Sequence, residues 1–451
     1  MRKFLLYTGF LISFSGAIAQ ADTLEEAMSY AYENSSTLNA SRASLRATDE
    51  NVAIAKSGYR PNVTGNASVG KTYNRATFEN NILPLEELHE TPKDVSVKMV
   101  QPVFSGLTTY NSVKSAETMV KSGQEKLSET EQNKLLEVAT AYMDVIKDKS
   151  VLELNQNNVK VLTRHLESVK KRFAVGSLTR TDVAQSEARL SGAKAKLIAA
   201  EAQLKVSEAV YRDAVGKEAK DLTDVNGKGL DLPKTLDEAV EFAEENNPRI
   251  KAADYAQKSY EKQISVQKGE LLPSVDIIGQ AGHFKDTESV DDGGYWSLTA
   301  NLSVPLYQGG ADYAKVRQAK HIANQYRLQA RSIRTDIWRE TVTAWEYYQS
   351  AKAEIVAVKA QVKAAETALQ GVIREEKAGT RTVLDVLNAE QEHLNSQVSY
   401  QEAHRNEIVS AYSLLAKIGK LTPDTLGLAV KPYDSNSYYD AVKNKWIGYN
   451  I

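Results

Sequence analysis

One order of motifs runs through this sequence twice, so the fold has to be built from two copies of a large unit. Leu24-Glu25-Glu26-Ala27 returns as Leu236-Asp237-Glu238-Ala239, and Arg60-Pro61-Asn62-Val63 is matched by Leu272-Pro273-Ser274-Val275, each 212 positions later (236 − 24; 273 − 61). Gln101-Pro102-Val103-Phe104-Ser105-Gly106 is matched by Val304-Pro305-Leu306-Tyr307-Gln308-Gly309 at a separation of 203 (305 − 102). That spacing persists through Gly176 and Gly379, Asp182 and Asp385, and Gly216-Lys217 and Gly419-Lys420. The net length change therefore falls between Pro61 and Pro102. Register is kept beyond it, as long packed helices require and loops do not. The units are far longer than solenoid repeats.

Each copy has the same internal grammar. Leu24–Lys56 and Leu236–Lys268 are rich in Ala, Glu, Lys and Gln and read as helix, with a break expected at Asn247-Pro248. Thr108–Ala174 and Ala311–Lys377 contain no proline and predict helices on the order of 100 Å long at about 1.5 Å per residue. Leu135, Val138, Tyr142, Val145 and Leu152 follow a three-four spacing, the seam of a coiled-coil partner. Helices of that length exceed a compact domain and point to an elongated assembly.

Between the helices the period changes to two. Trp296, Leu298, Ala300, Leu302 and Val304 alternate with Ser297, Thr299, Asn301 and Ser303; Val63, Gly65, Ala67 and Val69 alternate with Thr64, Asn66 and Ser68. Val95, Val97 and Met99, and Val275, Ile277, Gly279 and Ala281, supply two further segments. A half-buried soluble sheet has the same period as a membrane strand. Closure separates them: membrane barrels need about eight strands or more and lipid tolerates no open edge, so four spanning strands must be pooled with other copies, three of which supply twelve. The segments Asn74–Lys93 and Lys285–Gly294 are polar and are expected as the hairpin tips.

The beginning of the chain reads as an export signal, with Arg2 and Lys3 before an apolar run and Ala19-Gln20-Ala21 as the cleavage pattern, which puts the mature start near Asp22. The sequence has no cysteine, which excludes a disulfide framework and lipidation at cysteine. A net charge of −2 lacks the electrostatic footprint of a nucleic-acid binder. The six histidines are scattered with no paired ligand spacing, and neither a phosphate-binding glycine loop nor a G-x-S-x-G elbow is present, so no enzyme, metal site or cofactor is expected. The expected organisation is a signal segment over 1–21, structural repeats over 22–230 and 231–430, and a tail over 431–451 that is assigned only to packing.

Two matched turns close the long helices: Val175-Gly176-Ser177-Leu178-Thr179-Arg180-Thr181-Asp182 and Ala378-Gly379-Thr380-Arg381-Thr382-Val383-Leu384-Asp385. Each has a glycine where a helix end needs a left-handed residue, then Thr-x-x-Asp at the spacing of a capping box. On spacing alone, both aspartates are accounted for as starts of the return helices.

The duplicated order, Val304-Pro305-Leu306-Tyr307-Gln308-Gly309-Gly310 and Gly379-Thr380-Arg381-Thr382-Val383-Leu384-Asp385-Val386-Leu387 resemble the TolC family of outer-membrane channels over nearly the whole mature chain. The resemblance implies a mainly helical fold with membrane β-structure: a homotrimeric twelve-stranded barrel on a twelve-helix periplasmic tube, with periplasmic termini. It implies an exit duct for efflux or type I secretion, opened by a periplasmic adaptor and an inner-membrane transporter of the RND or ABC type. By residue, it implies a gate at Arg381, Asp182 and Thr181. It also implies an entrance ring at Asp385 and Asn388, and adaptor-docking tips at Val175, Gly176, Ser177, Leu178, Ala378, Gly379 and Thr380. This chain has Asn388 where the family's ring has an acid, and Glu376 where the family has a tyrosine. A trimeric autotransporter-like surface protein also pools four strands per chain, but its strands are contiguous at the C-terminus. A periplasmic adaptor lacks duplicated strand hairpins.

Overall fold

A computed structural model describes residues 22–76, 86–225, 229–287 and 290–449, so the export signal expected over 1–21 lies outside it. In each half two short helices lead into strands, and the strands lead into a 67-residue helix and a shorter return helix. The first half comprises α1 (Leu24–Asn34), α2 (Ser36–Lys56), β1 (Asn62–Val69), β2 (Thr72–Ala76), β3 (Glu86–Glu90), β4 (Lys93–Ser105), α3 (Thr108–Ala174) and α4 (Arg180–Val215). The second comprises α5 (Leu236–Asn246), α6 (Pro248–Gly269), β5 (Ser274–Thr287), β6 (Val290–Ser303), α7 (Ala311–Lys377) and α8 (Val383–Lys417), and a short α9 (Ser437–Val442) follows. Among the described residues no helix is long and apolar enough to cross a membrane.

The stretch Leu24–Lys56 is not one helix. It breaks at Ser35, whose extended backbone ends α1 and whose hydroxyl accepts from the Leu38 N–H to cap α2. The second half breaks at Asn247, 212 positions later (247 − 35), where the side chain accepts from the Arg249 N–H and Pro248 opens α6. Only the second break carries a proline; in the first, a serine cap alone interrupts the hydrogen-bond ladder.

β1, β4, β5 and β6 form one antiparallel sheet in that order. Its register lines up Val63–Met99–Gly279–Leu298 and Gly65–Val97–Ala281–Trp296 on one face, with Thr64–Lys98–Gln280–Ser297 between them on the other. Residues opposite one another on a pleated sheet share a face, so the alternation in each strand adds up to one apolar and one polar surface. Among the described residues β1 and β6 each have one unpaired edge.

The expected polar tips are more structured than loops. In the first, β2 and β3 pair as a separate two-stranded ribbon, and residues 77–85 lie outside the described residues. In the second, pairing continues through His283–Gly294 and Lys285–Asp292 to Thr287–Val290. Polarity marks where side chains turn from apolar to wet surroundings; it does not end the backbone ladder. Pro102 is accommodated in β4 by a register shift between Pro102 and Phe104.

The main core lies midway along the long helices, where α1, α5, α4 and α8 pack around α3 and α7. Leu135, Val138, Tyr142 and Val145 are buried there, and Leu152 is partly so. The Tyr142 hydroxyl lies within hydrogen-bonding distance of the Asp22 and Thr223 carbonyls (2.8 and 2.7 Å), which ties the start of the chain to the loop after α4. At the sheet end, Gly106 (φ +60°) passes so close to the Gly269 carbonyl that no side chain fits, so the junctions of the two halves pack backbone to backbone.

Candidate functional site

The far ends of the long helices carry the residues singled out by sequence. After α3 and α7 the chain reverses through the same device twice. Gly176 (φ +76°) donates to the Phe173 carbonyl and Ser177 to that of Arg172, while Gly379 (φ +80°) donates to Glu376 and Thr380 to Glu375. These bonds satisfy the last carbonyls of each helix. The return helices start on reciprocal caps. Asp182 Oδ2 accepts from the Thr179 N–H (2.8 Å) and hydroxyl (2.7 Å), and Asp385 Oδ2 accepts from those of Thr382 (2.9 and 2.8 Å).

These bonds hold both carboxyls below the usual carboxylate range, through the Thr179 hydroxyl first for Asp182 and the Thr382 N–H first for Asp385. A depressed pKa means the caps are fully formed above the ordinary carboxylate pKa and are lost as pH falls through the folded value. Capping engages only Oδ2; in each aspartate Oδ1 has no partner among the described residues.

Within one chain the sequence-derived gate residues do not meet. Arg381 Nε donates to Glu375 Oε2 at 3.0 Å, Thr181 is exposed, and Asp182 is engaged by Thr179. The two positions that depart from the TolC pattern both find partners. Arg172 Nη1 of α3 donates to Glu376 Oε1 of α7 at 2.6 Å, and Arg189 Nη2 of α4 donates to Asn388 Oδ1 of α8 at 2.7 Å. These contacts tie the α3–α4 hairpin to the α7–α8 hairpin. Sequence reasoning missed Arg172 and Arg189, because the bonds join residues about two hundred positions apart. Beneath them Leu162, Leu166 and Val169 of α3 pack against Leu190 and Ala193 of α4 and Val383 and Leu387 of α8. Val175, Gly176, Ser177, Ala378, Gly379 and Thr380 are exposed at the tip; Leu178 is partly covered by this cluster.

One turn above that cluster, burial pushes the Glu390 carboxyl up to about 7, and its Oε2 has no hydrogen-bond partner among the described residues. Between the ordinary glutamate pKa and about 7 the unfolded chain is ionised while the folded chain keeps its proton. Stability therefore falls as pH rises through that window and levels off above it. Glu390→Gln is expected to stabilise the protein by about 1–2 kcal/mol at pH 8, after discounting for the exposed part of the side chain, and by almost nothing at pH 4.5. Thermal melts of both proteins across that range check this; a gain independent of pH would mean the carboxyl is not buried in its neutral form.

The sequence model of the outer membrane efflux protein family matches residues 27–217 and 239–420. The two segments are offset by 212 at their starts and 203 at their ends (239 − 27; 420 − 217), the spacings of the internal duplication. The outer membrane efflux protein BepC of Brucella suis is 35% identical over 96% of this chain and 93% of its own length. The outer membrane protein TolC of Vibrio cholerae is 26% identical over 94% of this chain and 96% of its own. The crystal structure of the Campylobacter jejuni CmeC outer membrane channel superposes with a TM-score of 0.81, covering 93% of this chain and 89% of that one at 13% identity, a likeness of fold. By its duplicated match and its full-length relatives, this chain belongs to the outer membrane efflux protein family.

Proposed function

We propose that three copies of this chain close their sheets into one twelve-stranded barrel in the outer membrane, continued by a twelve-helix tube across the periplasm. The assembly is the passive exit duct of an efflux or type I secretion machine. The observation that carries this reading is the four-stranded sheet with one apolar face and open edges at β1 and β6. An apolar outer face suits lipid, an open edge there does not, and pairing β6 of one copy with β1 of the next removes every edge.

In this reading 1–21 is removed on export, 22–230 and 231–430 are the two structural repeats, 431–451 is a periplasmic tail, and both termini are periplasmic. The helical tips form the entrance. Arg381 of one copy bonds Asp182 and Thr181 of the next, Asp385 supplies an acidic ring beside the neutral Asn388, and the turns Val175–Leu178 and Ala378–Thr380 receive a periplasmic adaptor. That adaptor links the duct to an RND or ABC transporter in the inner membrane, which chooses the cargo. The duct itself carries out no catalysis.

Unheated electrophoresis of the purified outer-membrane fraction is expected to show a trimer that collapses to monomer on boiling. A monomer without heating, or a protein absent from that fraction, overturns the reading.

A further inference from the structure

The segment after the second repeat is laid along α2 as a strap. The Tyr433 N–H donates to the Tyr32 hydroxyl (3.0 Å), Tyr438 Oη donates to Glu50 Oε1 (2.8 Å), and Lys56 Nζ donates to Asn444 Oδ1 (2.8 Å). Arg60 Nη1 then donates to the Lys445 carbonyl (2.8 Å). Partners of rising number, from Tyr32 on α1 through Glu50 and Lys56 on α2 to Arg60, meet strap residues of rising number, so the strap climbs toward the sheet and reaches Arg60, just before β1. Trp446 packs on the Arg60 guanidinium, 4.8 Å from ring centre to Cζ, yet it is 66% exposed. Ile447 is 90% exposed and Tyr449 97%. A segment held by ordered bonds that carries two aromatic residues and an aliphatic one in the open is not explained by packing on the helices beneath it.

We propose that Trp446, Ile447 and Tyr449 form a lipid anchor lying in the headgroup layer of the periplasmic leaflet of the outer membrane; this rests on the barrel reading above. Position is the first support. Arg60 fixes the strap end at the level where the helices give way to the sheet, and Tyr59, Leu306 and Tyr307, which flank the strand ends there, are also exposed. The anchor thus adds to the exposed apolar side chains at the junction of helices and sheet. Chemistry is the second support. Trp and Tyr concentrate at membrane interfaces, where the ring body is buried among acyl chain ends and the polar edge stays wet. Lys56 and Arg60 stand beside them, as anionic headgroups favour. Gly448 (φ +104°) lets the chain turn between Ile447 and Tyr449.

The native chain has no cysteine, so single nitroxide labels can be placed without background. The test uses Ile447→Cys, Leu302→Cys on the apolar face of the sheet and Ser437→Cys on the exposed side of the strap, each in proteoliposomes. Power saturation compares collisions with oxygen, which partitions into lipid, and with a water-soluble nickel chelate. The labels at 447 and 302 are expected to favour oxygen several-fold over the label at 437, with the label at 447 shallower than that at 302. A label at 447 as open to nickel as that at 437, while 302 still favours oxygen, overturns the anchor alone. A label at 447 shielded from both reagents also overturns it, because a neighbouring copy would then cover the strap end. Nickel access at 302 overturns the barrel reading instead.

Discussion

Arg381→Ser channels are expected to conduct several-fold more than wild type in planar bilayers, and Asp182→Asn channels are expected to do the same with thermal stability almost unchanged. In the isolated chain Arg381 spends only Nε, on Glu375, and its two Nη groups have no partner among the described residues. Asp182 spends only Oδ2, on its cap. A free guanidinium fork and a free carboxylate oxygen therefore remain, one per hairpin, and a neighbouring copy can join them without breaking anything. Capping and gating are compatible roles for one aspartate. Both side chains are exposed enough that solvent screening leaves about 0.5–1 kcal/mol per contact. Three contacts broken together give about 1.5–3 kcal/mol, enough to move a closed-to-open ratio by on the order of ten- to a hundredfold. The double variant Arg381→Ser/Asp182→Asn should add little to either single change, since both remove one bond. Glu376→Gln, which weakens the tie to Arg172 within a copy, should add to Arg381→Ser. If Asp182→Ala lowers the melting temperature while Arg381→Ser and Asp182→Asn leave conductance alone, the aspartate only starts its helix and no such gate exists.

What could be read before the structure follows from how local each signal is. The long helices and the strand faces are written in periods of 3.6 and two, and the caps in a four-residue spacing, so Thr179 and Thr382 reach aspartates that lie in the same turn. The break at Ser35 was within reach through the duplication, since Asn247 occupies the matching position; propensity alone gave no reason to end a helix there. Arg172–Glu376 and Arg189–Asn388 were out of reach, because helix packing decides which of many surface charges face one another across hairpins. Glu376 and Asn388 look like losses against the family pattern, and the fold gives each an arginine. The tail was illegible for a related reason: it has no period of its own, and its order comes from partners on α1 and α2 roughly four hundred positions away.

Leu298→Arg is expected to cost about 2–4 kcal/mol per chain, and Leu302→Arg much less, falling toward about 1 kcal/mol. Both side chains lie on the apolar face, paired with Gly279 and Val275, so sequence alternation alone treats them as equivalent. Depth separates them. Leu302 is the second-last residue of β6, beside the junction with the helices, where a long arginine can reach the headgroups. Leu298 lies four residues further in along the strand and is flanked by Trp296 and Ala300 on the same face. Ser297→Arg, on the opposite face across from Gln280, would point to the water-filled side of the proposed barrel and should be tolerated. In the proposed trimer the cost would recur in each of three copies, so Leu298→Arg should deplete heat-modifiable trimer from the outer membrane, while Ser297→Arg leaves it and alters ion selectivity. Urea titration of protein folded into liposomes measures the three changes on one scale. Equal costs at 298 and 302 would mean that the apolar belt extends past the end of β6, and a larger cost at Ser297 than at Leu298 would reverse the face that meets lipid.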